Sequence, residues 1–361
     1  MVKAGERGNS PLEWVRMLNL YDVTFSQLSA LVTEWGFAAL HARSLWRYLY
    51  RELVTDVSEM RELPPKLLTR LDAAATFTQP TTARETAADN GRTHKYLLAL
   101  RDGAQIETVE MLYGHGSATR VTVCLSSQVG CALGCVFCAT GQMGFARNLA
   151  AGEMVAQALF VARRCRTRGE RLSNLVLMGM GEPLLNYDAV MTALEILHES
   201  AGLAIGAKRI TLSTVGVIPG IVRLADESRK YSLAVSLHSA NQSERLTLIP
   251  ASQAWPLPEL MAACRYYTGK TGQKIFFEWT LIAEKNDSAA HARELAQLLR
   301  GIPCQMNLIP LNPTQRFSGL PGDIEAIERF RQVLAEADIP STVRQRRGIE
   351  IAAGCGQLAA G

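Results

Sequence analysis

Three cysteines in the stretch CALGCVFC have the spacing that most directly suggests chemistry. Cys131, Cys135 and Cys138 are close enough in sequence for one loop to present three thiolates to the same metal centre. Zinc and iron–sulfur sites that are closed by protein have four protein ligands, whereas three ligands leave one coordination position for another group. The spacing therefore predicts an open metal site. A zinc site or unconnected buried cysteines are the alternatives.

An open iron–sulfur site would allow radical chemistry. A [4Fe–4S] cluster held by three cysteines has one iron free to bind the amino and carboxylate groups of S-adenosylmethionine. An electron from the cluster can then cleave the sulfonium and give a 5′-deoxyadenosyl radical, which no side chain can produce unaided. Phe137, between the last two cysteines, resembles the aromatic residue common at that place in the radical SAM superfamily. The loop therefore favours a [4Fe–4S] cluster and S-adenosylmethionine as cofactors.

The sequence around this loop alternates between short apolar runs and longer helical patterns. Helical stretches such as AGEMVAQALFVARRC and HARELAQLLR lie between runs of Val, Ile and Leu, and this pattern predicts a parallel sheet covered by helices. The fold class is α/β, and about six units predict a partial (βα)6 radical SAM barrel rather than a closed eight-stranded one. The six predicted strands are RVTVCLSS, NLVLMGM, RITLST, YSLAVSLH, KIFFEWTLI and QMNLIPL.

We divide the chain into four predicted segments. Residues 1–75 form an N-terminal helical accessory domain, and residues 117–350 form the radical SAM core. Between them, residues 76–116 are a linker and hairpin, in which TARETAADNGRTH predicts turns and KYLLAL and QIETVEML predict strands. The short Gly-rich C-terminal tail, residues 351–361, carries Cys355.

Polar residues and glycines stand where the predicted strands end. In parallel α/β folds reactive groups collect at the carboxyl ends of strands. A single strand-end glycine or serine usually belongs to a turn, and a single histidine usually makes a core hydrogen bond. Together with the cysteine loop after the first strand, four such ends predict a ligand site, at Gly181 and Glu182, Ser213, Ser236 to His238, and Asn312.

The charge and cysteine patterns limit the partners and the compartment. A net charge of +4 permits a polyanionic partner without requiring one, and arginines cluster at Arg43, Arg47 and Arg51, between Arg163 and Arg171, and from Arg344 to Arg347. The Arg43 stripe is either a solvated helix face or a nucleic-acid contact. There is no apolar run long enough for a membrane span, no secretory signal in MVKAGERGNSPLEW and no regular cysteine framework. We expect a cytoplasmic protein without a membrane partner.

Taken together, these motifs resemble the RlmN family of radical SAM ribosomal RNA methyltransferases, whose sister family is that of the Cfr resistance methyltransferases. The resemblance runs from the N-terminal helical domain almost to the C-terminus. It implies methylation of C2 of one adenosine in the peptidyl-transferase centre of 23S rRNA and, in many members, of the adenosine 3′ to the tRNA anticodon. The matching stretches are CLSSQVGCALGCVFCATGQMGFARNL, MGMGEPLLNY, TLSTVGV, SLAVSLHSAN, LIPLNP and AAGCGQL.

The same resemblance implies roles for individual residues. Cys131, Cys135 and Cys138 would bind the cluster, and a flavodoxin or ferredoxin would supply electrons. A further set of residues would contact S-adenosylmethionine: Gly181, Glu182, Ser213, Ser236, Leu237, His238 and Asn312.

Three more residues receive reactive roles from the resemblance. Cys355 would become methylated, Glu107 would accept a proton, and Cys124 would form a transient disulfide with Cys355. Cys124 filling an apolar position and Glu107 lying on a surface strand are the alternative interpretations.

The chemistry explains why a cysteine relay is needed. C2 of adenine lies between two ring nitrogens and is electron-poor, so it cannot attack the methyl group of S-adenosylmethionine, whereas the Cys355 thiolate can. A second S-adenosylmethionine would supply the radical that takes hydrogen from the S-methyl group. The methylene radical would add to C2, and a second thiolate would then free the product. A C8-specific Cfr-type enzyme and a non-catalytic zinc-stapled RNA-binding protein remain alternatives, although GEPLLN matches the C2 side.

Overall fold

A computed structural model describes residues 17–76, 79–114 and 119–360. Residues 1–16, 77–78, 115–118 and 361 lie outside the described residues, so each of the four predicted segments is described only in part. The helices are α1 (Phe25–Glu34), α2 (Leu40–Tyr50), α3 (Pro65–Ala74), α4 (Ala139–Met143), α5 (Ala151–Thr167), α6 (Tyr187–His198), α7 (Ile218–Asp226), α8 (Gln242–Leu248), α9 (Leu257–Thr271), α10 (Ala289–Leu298) and α11 (Ile324–Glu336). Within the described ranges, none of these helices is long and apolar enough to cross a lipid bilayer.

The strands form one large sheet and two small ones. They are β1 (Leu18–Asn19), β2 (Ala75–Thr76), β3 (Thr81–Ala88), β4 (Thr93–Ala99), β5 (Gln105–Tyr113), β6 (Arg120–Cys124), β7 (Gln128–Gly130), β8 (Phe145–Asn148), β9 (Leu172–Leu177), β10 (Ile210–Thr214), β11 (Ser232–Ser236), β12 (Ile275–Leu281), β13 (Cys304–Pro310) and β14 (Ser341–Val343). The large sheet has ten strands in the order β14-β13-β12-β11-β10-β9-β6-β5-β4-β3.

The parallel part of this sheet confirms the predicted partial barrel. The six predicted strands are β6 and β9 to β13, and each pairs in parallel with the next. A short seventh parallel strand, β14, adds to β13. The strand order ends at β14 and β3, which do not pair with each other among the described residues, so the sheet stays open. The parallel strands therefore place their carboxyl ends along one edge.

The segment before the barrel differs from the sequence prediction. The predicted turns in TARETAADNGRTH are wrong for most of that stretch, because Thr81–Ala88 is a strand and the turn covers only Asp89 to Gly91. Strand β3 lies at the sheet edge with mostly exposed polar side chains, so it lacks the apolar alternation that marks a strand. The strands β3, β4 and β5 extend the large sheet in antiparallel order, so the predicted hairpin has a third strand.

The N-terminal helices pack on the barrel through α5. The short pair β1 and β2 joins the two ends of the helical segment, and the apolar side of α2 is fully buried. The Gly152 N–H at the start of α5 donates to the Asp22 carboxylate, and Arg163 on α5 donates to Tyr21 Oη at 3.1 Å. A Cβ at Gly152 would lie 2.2 Å from Asn19 Nδ2, so only glycine allows this close approach.

Strand β12 shows how the barrel separates packing residues from site residues. Phe277 and Trp279 are completely buried, and Trp279 contacts Phe330 of α11 with ring centroids 5.6 Å apart. Glu278 and Thr280 point to the other side and line the interior of the barrel. Alternation along the strand therefore assigns odd-numbered residues to the helix layer and even-numbered residues to the site.

We predict that Phe277→Ala will lower the free energy of unfolding by about 3–5 kcal/mol, because the substitution leaves a cavity under the helices. Urea unfolding followed by circular dichroism measures this loss. Phe276→Ala is the matched control, because Phe276 is only half-buried and faces the interior. Equal losses in the two variants would contradict the assignment of faces.

Candidate active site

One cavity at the carboxyl edge of the sheet collects most of the predicted ligand residues, and we call it the thiol cavity. Gly181 and Glu182 reach it from the loop after β9. Its lining includes the three clustered thiols and these strand-end residues: Gly181, Glu182, Ser213, Ser236, His238 and Asn312. Leu237 is the exception, because its side chain is buried in the core and does not line the cavity.

The three thiols lie on the loop between β7 and α4. The Cys138 N–H donates to the Cys135 carbonyl at 3.1 Å, and the Cys131 N–H donates to the Gly144 carbonyl at 2.8 Å. None of the three cysteines forms a disulfide. Burial raises the pKa of the Cys131 thiol to about 12 and raises the pKa values of the Cys135 and Cys138 thiols. These thiols therefore need a nearby cation to ionise, and a bound metal would supply it.

A buried arginine beside the thiols fits an anionic group at this place. Arg245 donates through Nε to the Leu237 carbonyl at 3.2 Å and through Nη2 to the Val215 carbonyl. Its Nη1 is buried and has no hydrogen-bond partner among the described residues. The positive charge acts on the Cys135 thiol, lowering its pKa, although burial has the larger and opposite effect. Three thiols lining one cavity and a cationic donor without a hydrogen-bond partner among the described residues fit a thiolate-bound cluster with a net negative charge.

Glu182 and His238 offer complementary groups to a ligand. Glu182 Oε1 and Oε2 accept the backbone N–H groups of Leu184 at 3.0 Å and Val215 at 2.9 Å, while burial raises the Glu182 pKa to about 7. His238 Nδ1 accepts the Thr280 N–H at 2.9 Å, and burial lowers the His238 pKa to about 3. His238 is therefore neutral at pH 7, and Nε2 carries its proton. The site can thus accept from a ligand amino group and donate to a ligand oxygen or nitrogen.

Cys355 lies where the thiol cavity meets a second cavity. The C-terminal tail is held by hydrogen bonds from Asn312 Nδ2 to the Cys355 carbonyl at 3.0 Å, from the Ala139 N–H to the Gly356 carbonyl at 2.7 Å, and from Thr140 Oγ1 to the Leu358 carbonyl at 2.6 Å. The side chain of Cys355 is exposed and lines both cavities. One thiol can therefore face two ligands.

We call the second cavity the basic cavity. Cys124 lines it together with Cys355, so the two predicted reactive thiols share one space. Burial is the main reason that the Cys124 pKa rises to about 12, and Cys355 adds to this effect. The cationic residues that line the cavity are Arg120, Lys208, Arg209, Arg344, Arg346 and Arg347.

Glu107 lies close to this region but lines neither cavity. It is fully buried on β5, and its carboxylate lies 2.9 Å from Lys95 Nζ. Glu107 Oε2 also accepts the Ala359 N–H at 2.9 Å. The structure therefore places this predicted proton acceptor in contact with the tail and outside the cavity that Cys124 and Cys355 share.

Sequence reasoning missed an ion pair between the two cavities. Arg344 Nη2 donates to Glu278 Oε1 at 2.8 Å, and Arg344 Nη1 lies 3.8 Å from Cys355 Sγ. Asn307 Nδ2 donates to the same Glu278 oxygen at 2.9 Å. In the sequence, Arg344 is recognisable only as one of several clustered arginines. Glu278, a carboxylate within the apolar strand KIFFEWTLI, is the signal that could have revealed the pair.

The open parallel barrel and the thiol loop after its first strand define a radical SAM enzyme. Residues 125–271 match the family model described as the radical SAM superfamily, and residues 18–77 match the model for the ribosomal RNA large subunit methyltransferase N-terminal domain. A radical SAM methyltransferase from Sphaerobacter thermophilus has a similar crystal structure. The TM-score is 0.91 at 48% identity, and the match covers 95% of this chain and 100% of that chain.

Curated relatives point to one family. The dual-specificity RNA methyltransferase RlmN 1 of Myxococcus xanthus is 54% identical, and the match covers 95% of this chain and 94% of the relative. The probable dual-specificity RNA methyltransferase RlmN 2 of Opitutus terrae is also 54% identical, covering 94% of this chain and 86% of the relative. The chain belongs to the RlmN family and is a radical SAM RNA methyltransferase.

We predict that iodoacetamide will label Cys355 at least about ten times faster than Cys124 at pH 8 in metal-free protein. Both thiols line the basic cavity, but Cys124 is buried and its raised pKa keeps it protonated at this pH. Peptide mass spectrometry at short times gives the two rates. Raising the pH toward 12 should narrow the difference as Cys124 ionises, and equal rates at pH 8 would contradict the placement of the two thiols.

Proposed function

We propose that this enzyme methylates C2 of an adenosine in the peptidyl-transferase centre of 23S rRNA and C2 of the adenosine 3′ to the tRNA anticodon. The observation that carries the proposal is Cys355, which faces the thiol cavity on one side and the basic cavity, with Cys124, on the other. The relatives' names, dual-specificity RNA methyltransferases, also support it. The reaction would take place in the cytoplasm.

The thiol cavity would hold the cofactors. Cys131, Cys135 and Cys138 would bind a [4Fe–4S] cluster, and a flavodoxin or ferredoxin would reduce it. When bound, the cluster and S-adenosylmethionine supply a methyl group and a carbon radical. The residues proposed to contact S-adenosylmethionine are Gly181, Glu182, Ser213, Ser236, Leu237, His238 and Asn312. Leu237 would do so through its backbone, since its side chain is buried elsewhere.

Cys355 would carry the methyl group between the two cavities. Its thiolate is a nucleophile, and the Arg344 Nη1 atom lies 3.8 Å from its sulfur. The methyl group then remains on a sulfur atom that also faces the basic cavity, where the adenine would bind. After the methylene carbon has bonded to C2, the RNA is attached to Cys355 and must be released.

Cys124 and Glu107 would complete the release. Loss of one electron, which the oxidised cluster would accept, and of the C2 proton would restore the aromatic adenine. Attack of the Cys124 thiolate on the Cys355 sulfur would then form a disulfide and break the sulfur–carbon bond, and the former methylene carbon would take up a proton to become the methyl group of the released RNA. Glu107 would take the proton. Because Glu107 lies outside both cavities and accepts the Ala359 N–H, a shift of the tail would be needed to bring this carboxylate into the basic cavity.

The site of methylation tests the proposal directly. Wild-type enzyme with S-adenosylmethionine and a reductant should convert adenosine in 23S rRNA and tRNA to 2-methyladenosine, detected by nucleoside mass spectrometry. Cys135→Ala should give no product and no iron–sulfur absorbance near about 400 nm, because two thiols cannot retain the cluster. Cys264→Ala, which removes a buried thiol outside both cavities, is the matched control and should remain active.

Two results would redirect the proposal. 8-Methyladenosine as the only product would assign the enzyme to the C8-specific Cfr type. A colourless protein with stoichiometric zinc and no methyl transfer would support a zinc-stapled RNA-binding role instead.

We predict that Cys124→Ala will accumulate a covalent protein–RNA adduct. Methylation of Cys355 and addition to C2 do not use Cys124, so only the release of RNA should fail. The adduct should appear as a slowly migrating, nuclease-sensitive band on denaturing gels. Cys124→Ala/Cys355→Ala should lose the band because the attachment point is gone. Normal turnover by Cys124→Ala would show that Cys124 only packs in β6.

A further inference from the structure

The arginines that the sequence indicated as RNA contacts are largely engaged by the protein itself. All five arginines of ARRCRTRGER donate to protein acceptors, namely Arg163 to Leu53 and Tyr21, Arg164 to Glu85, Arg166 to Glu52, Arg168 to Glu110 and Glu170, and Arg171 to Leu203. In the α2 stripe, Arg47 forms ion pairs with Glu52 at 3.0 Å and with Glu62. Carboxylates therefore neutralise Arg47, Arg164 and Arg168. Arg163, Arg166 and Arg171 donate to carbonyl or hydroxyl oxygens, which hold these side chains against the protein without neutralising them. Arg43 and Arg51 are exposed and have no ion-pair partner in the described part of the chain.

At the rim of the basic cavity, by contrast, the cationic side chains have few partners within the protein. Arg120, Lys208 and Arg209 are exposed, and none of them has an ion-pair partner within 4.0 Å in the part of the chain that the structure describes. Arg346 is exposed as well and has only a weak contact with Asn312, at 3.4 Å. Unpaired cations that line one opening produce a local positive potential, which paired cations elsewhere do not.

Arg120, Lys208 and Arg209 lie at the end of the barrel opposite the thiol loop. Arg120 begins β6 and Arg209 immediately precedes β10, so both are at the amino ends of parallel strands, whereas Cys124 ends β6. Cys124 is four residues beyond Arg120, or about 13 Å along the strand. The carboxyl end is covered by the tail, which hydrogen-bonds to α4 through Ala139 and Thr140.

An aromatic stack fixes part of this rim. Two guanidinium groups contact the ring of Tyr113 at the end of β5, with Arg120 at 4.7 Å and Arg347 at 4.3 Å from its centroid. Arg347 also donates to the Leu112 carbonyl at 2.9 Å. These two cation–π contacts hold the positive charges in place without neutralising them. The rim is therefore arranged before any ligand arrives.

We infer that the target adenosine enters the barrel from the amino ends of the strands and that Arg120, Lys208 and Arg209 bind the RNA phosphates flanking it. The inference rests on the proposed function, because it names how the substrate reaches the same site. An extruded base would point along the basic cavity toward Cys355 while its backbone stays at the rim, as expected for an enzyme that acts on a flipped base. Phosphate contacts of this kind position the RNA and do not select its sequence.

The test compares three charge-neutralised variants with wild-type enzyme in RNA binding. The probe is a fluorescently labelled transcript that contains the peptidyl-transferase-centre adenosine, and anisotropy is measured over a range of salt concentrations. Arg120→Gln/Lys208→Gln/Arg209→Gln should raise Kd at least about 10-fold near 0.1 M salt and reduce the slope of log K against log salt by about 2, since each lost phosphate contact removes about 0.7–0.9.

Two other variants serve as controls. Arg265→Gln/Lys270→Gln removes two exposed cations of α9 that have no ion-pair partner in the described chain and lie outside both cavities, and it should bind RNA as wild type does. Arg43→Gln/Arg47→Gln/Arg51→Gln tests the α2 stripe and should have the smaller effect. The rim variant should still form S-methylcysteine at Cys355 from S-adenosylmethionine alone, which shows that its active site is intact.

The outcomes separate this inference from the proposed function. Wild-type RNA affinity in the rim variant, or a larger loss in the α2 variant, overturns the inference even when 2-methyladenosine is formed. Loss of binding in the rim variant, with a wild-type enzyme that binds RNA yet forms no 2-methyladenosine, supports the inference and rejects the proposed function.

Discussion

Hydrogen bonds between the C-terminal tail and the thiol loop hold Cys355 at the junction of the two cavities. The Ala139 N–H and Thr140 Oγ1 bind the carbonyls of Gly356 and Leu358, and Asn312 binds the carbonyl of Cys355 itself. All three contacts go to backbone oxygens, so they fix the path of the tail and leave the Cys355 sulfur unencumbered. A thiol on a freely moving tail would meet either ligand rarely, whereas a tethered thiol meets both at high effective concentration.

The two cavities that meet at Cys355 also differ in charge. In the thiol cavity, burial keeps the thiols and His238 neutral. Arg245 Nη1, which has no hydrogen-bond partner among the described residues, fits an anionic group. In the basic cavity, exposed cations remain unpaired at the rim. Arg344 stands between them, held by Glu278 and close to Cys355. The barrel therefore separates a cavity with buried thiols, suited to a cluster, from a cavity with an exposed cationic rim, suited to a nucleic acid. The Cys355 sulfur lies at the boundary between them.

Sequence patterns predict those parts of this arrangement that depend on residues close together in the chain. The strands β6 and β9 to β13 contain runs of Val, Ile and Leu that are typical of parallel strands covered by helices, whereas the polar edge strand β3 resembles a turn region. The thiol spacing is a property of one loop. The pair Arg344–Glu278 joins residues 66 positions apart, and only the paired strands β12, β13 and β14 bring them together. The same holds for Arg164 and Arg168, whose carboxylate partners Glu85 and Glu110 lie on the distant strands β3 and β5.

The position of Glu107 connects the movement of the tail to the order of the proposed reaction. Its carboxylate binds Lys95 and the Ala359 N–H, and Lys95 Nζ also donates to the Ala352 carbonyl at 3.3 Å, so one ion pair holds the tail on both sides of Cys355. While these contacts persist, Glu107 is shielded from the basic cavity and cannot take a proton from a bound base. Cys355 already lines the basic cavity, so it meets the adenine without this movement, whereas a shift of the tail that breaks the Ala359 contact would free the Glu107 carboxylate. In the proposed reaction the shift therefore belongs to the removal of the C2 proton, which follows the formation of the carbon–carbon bond.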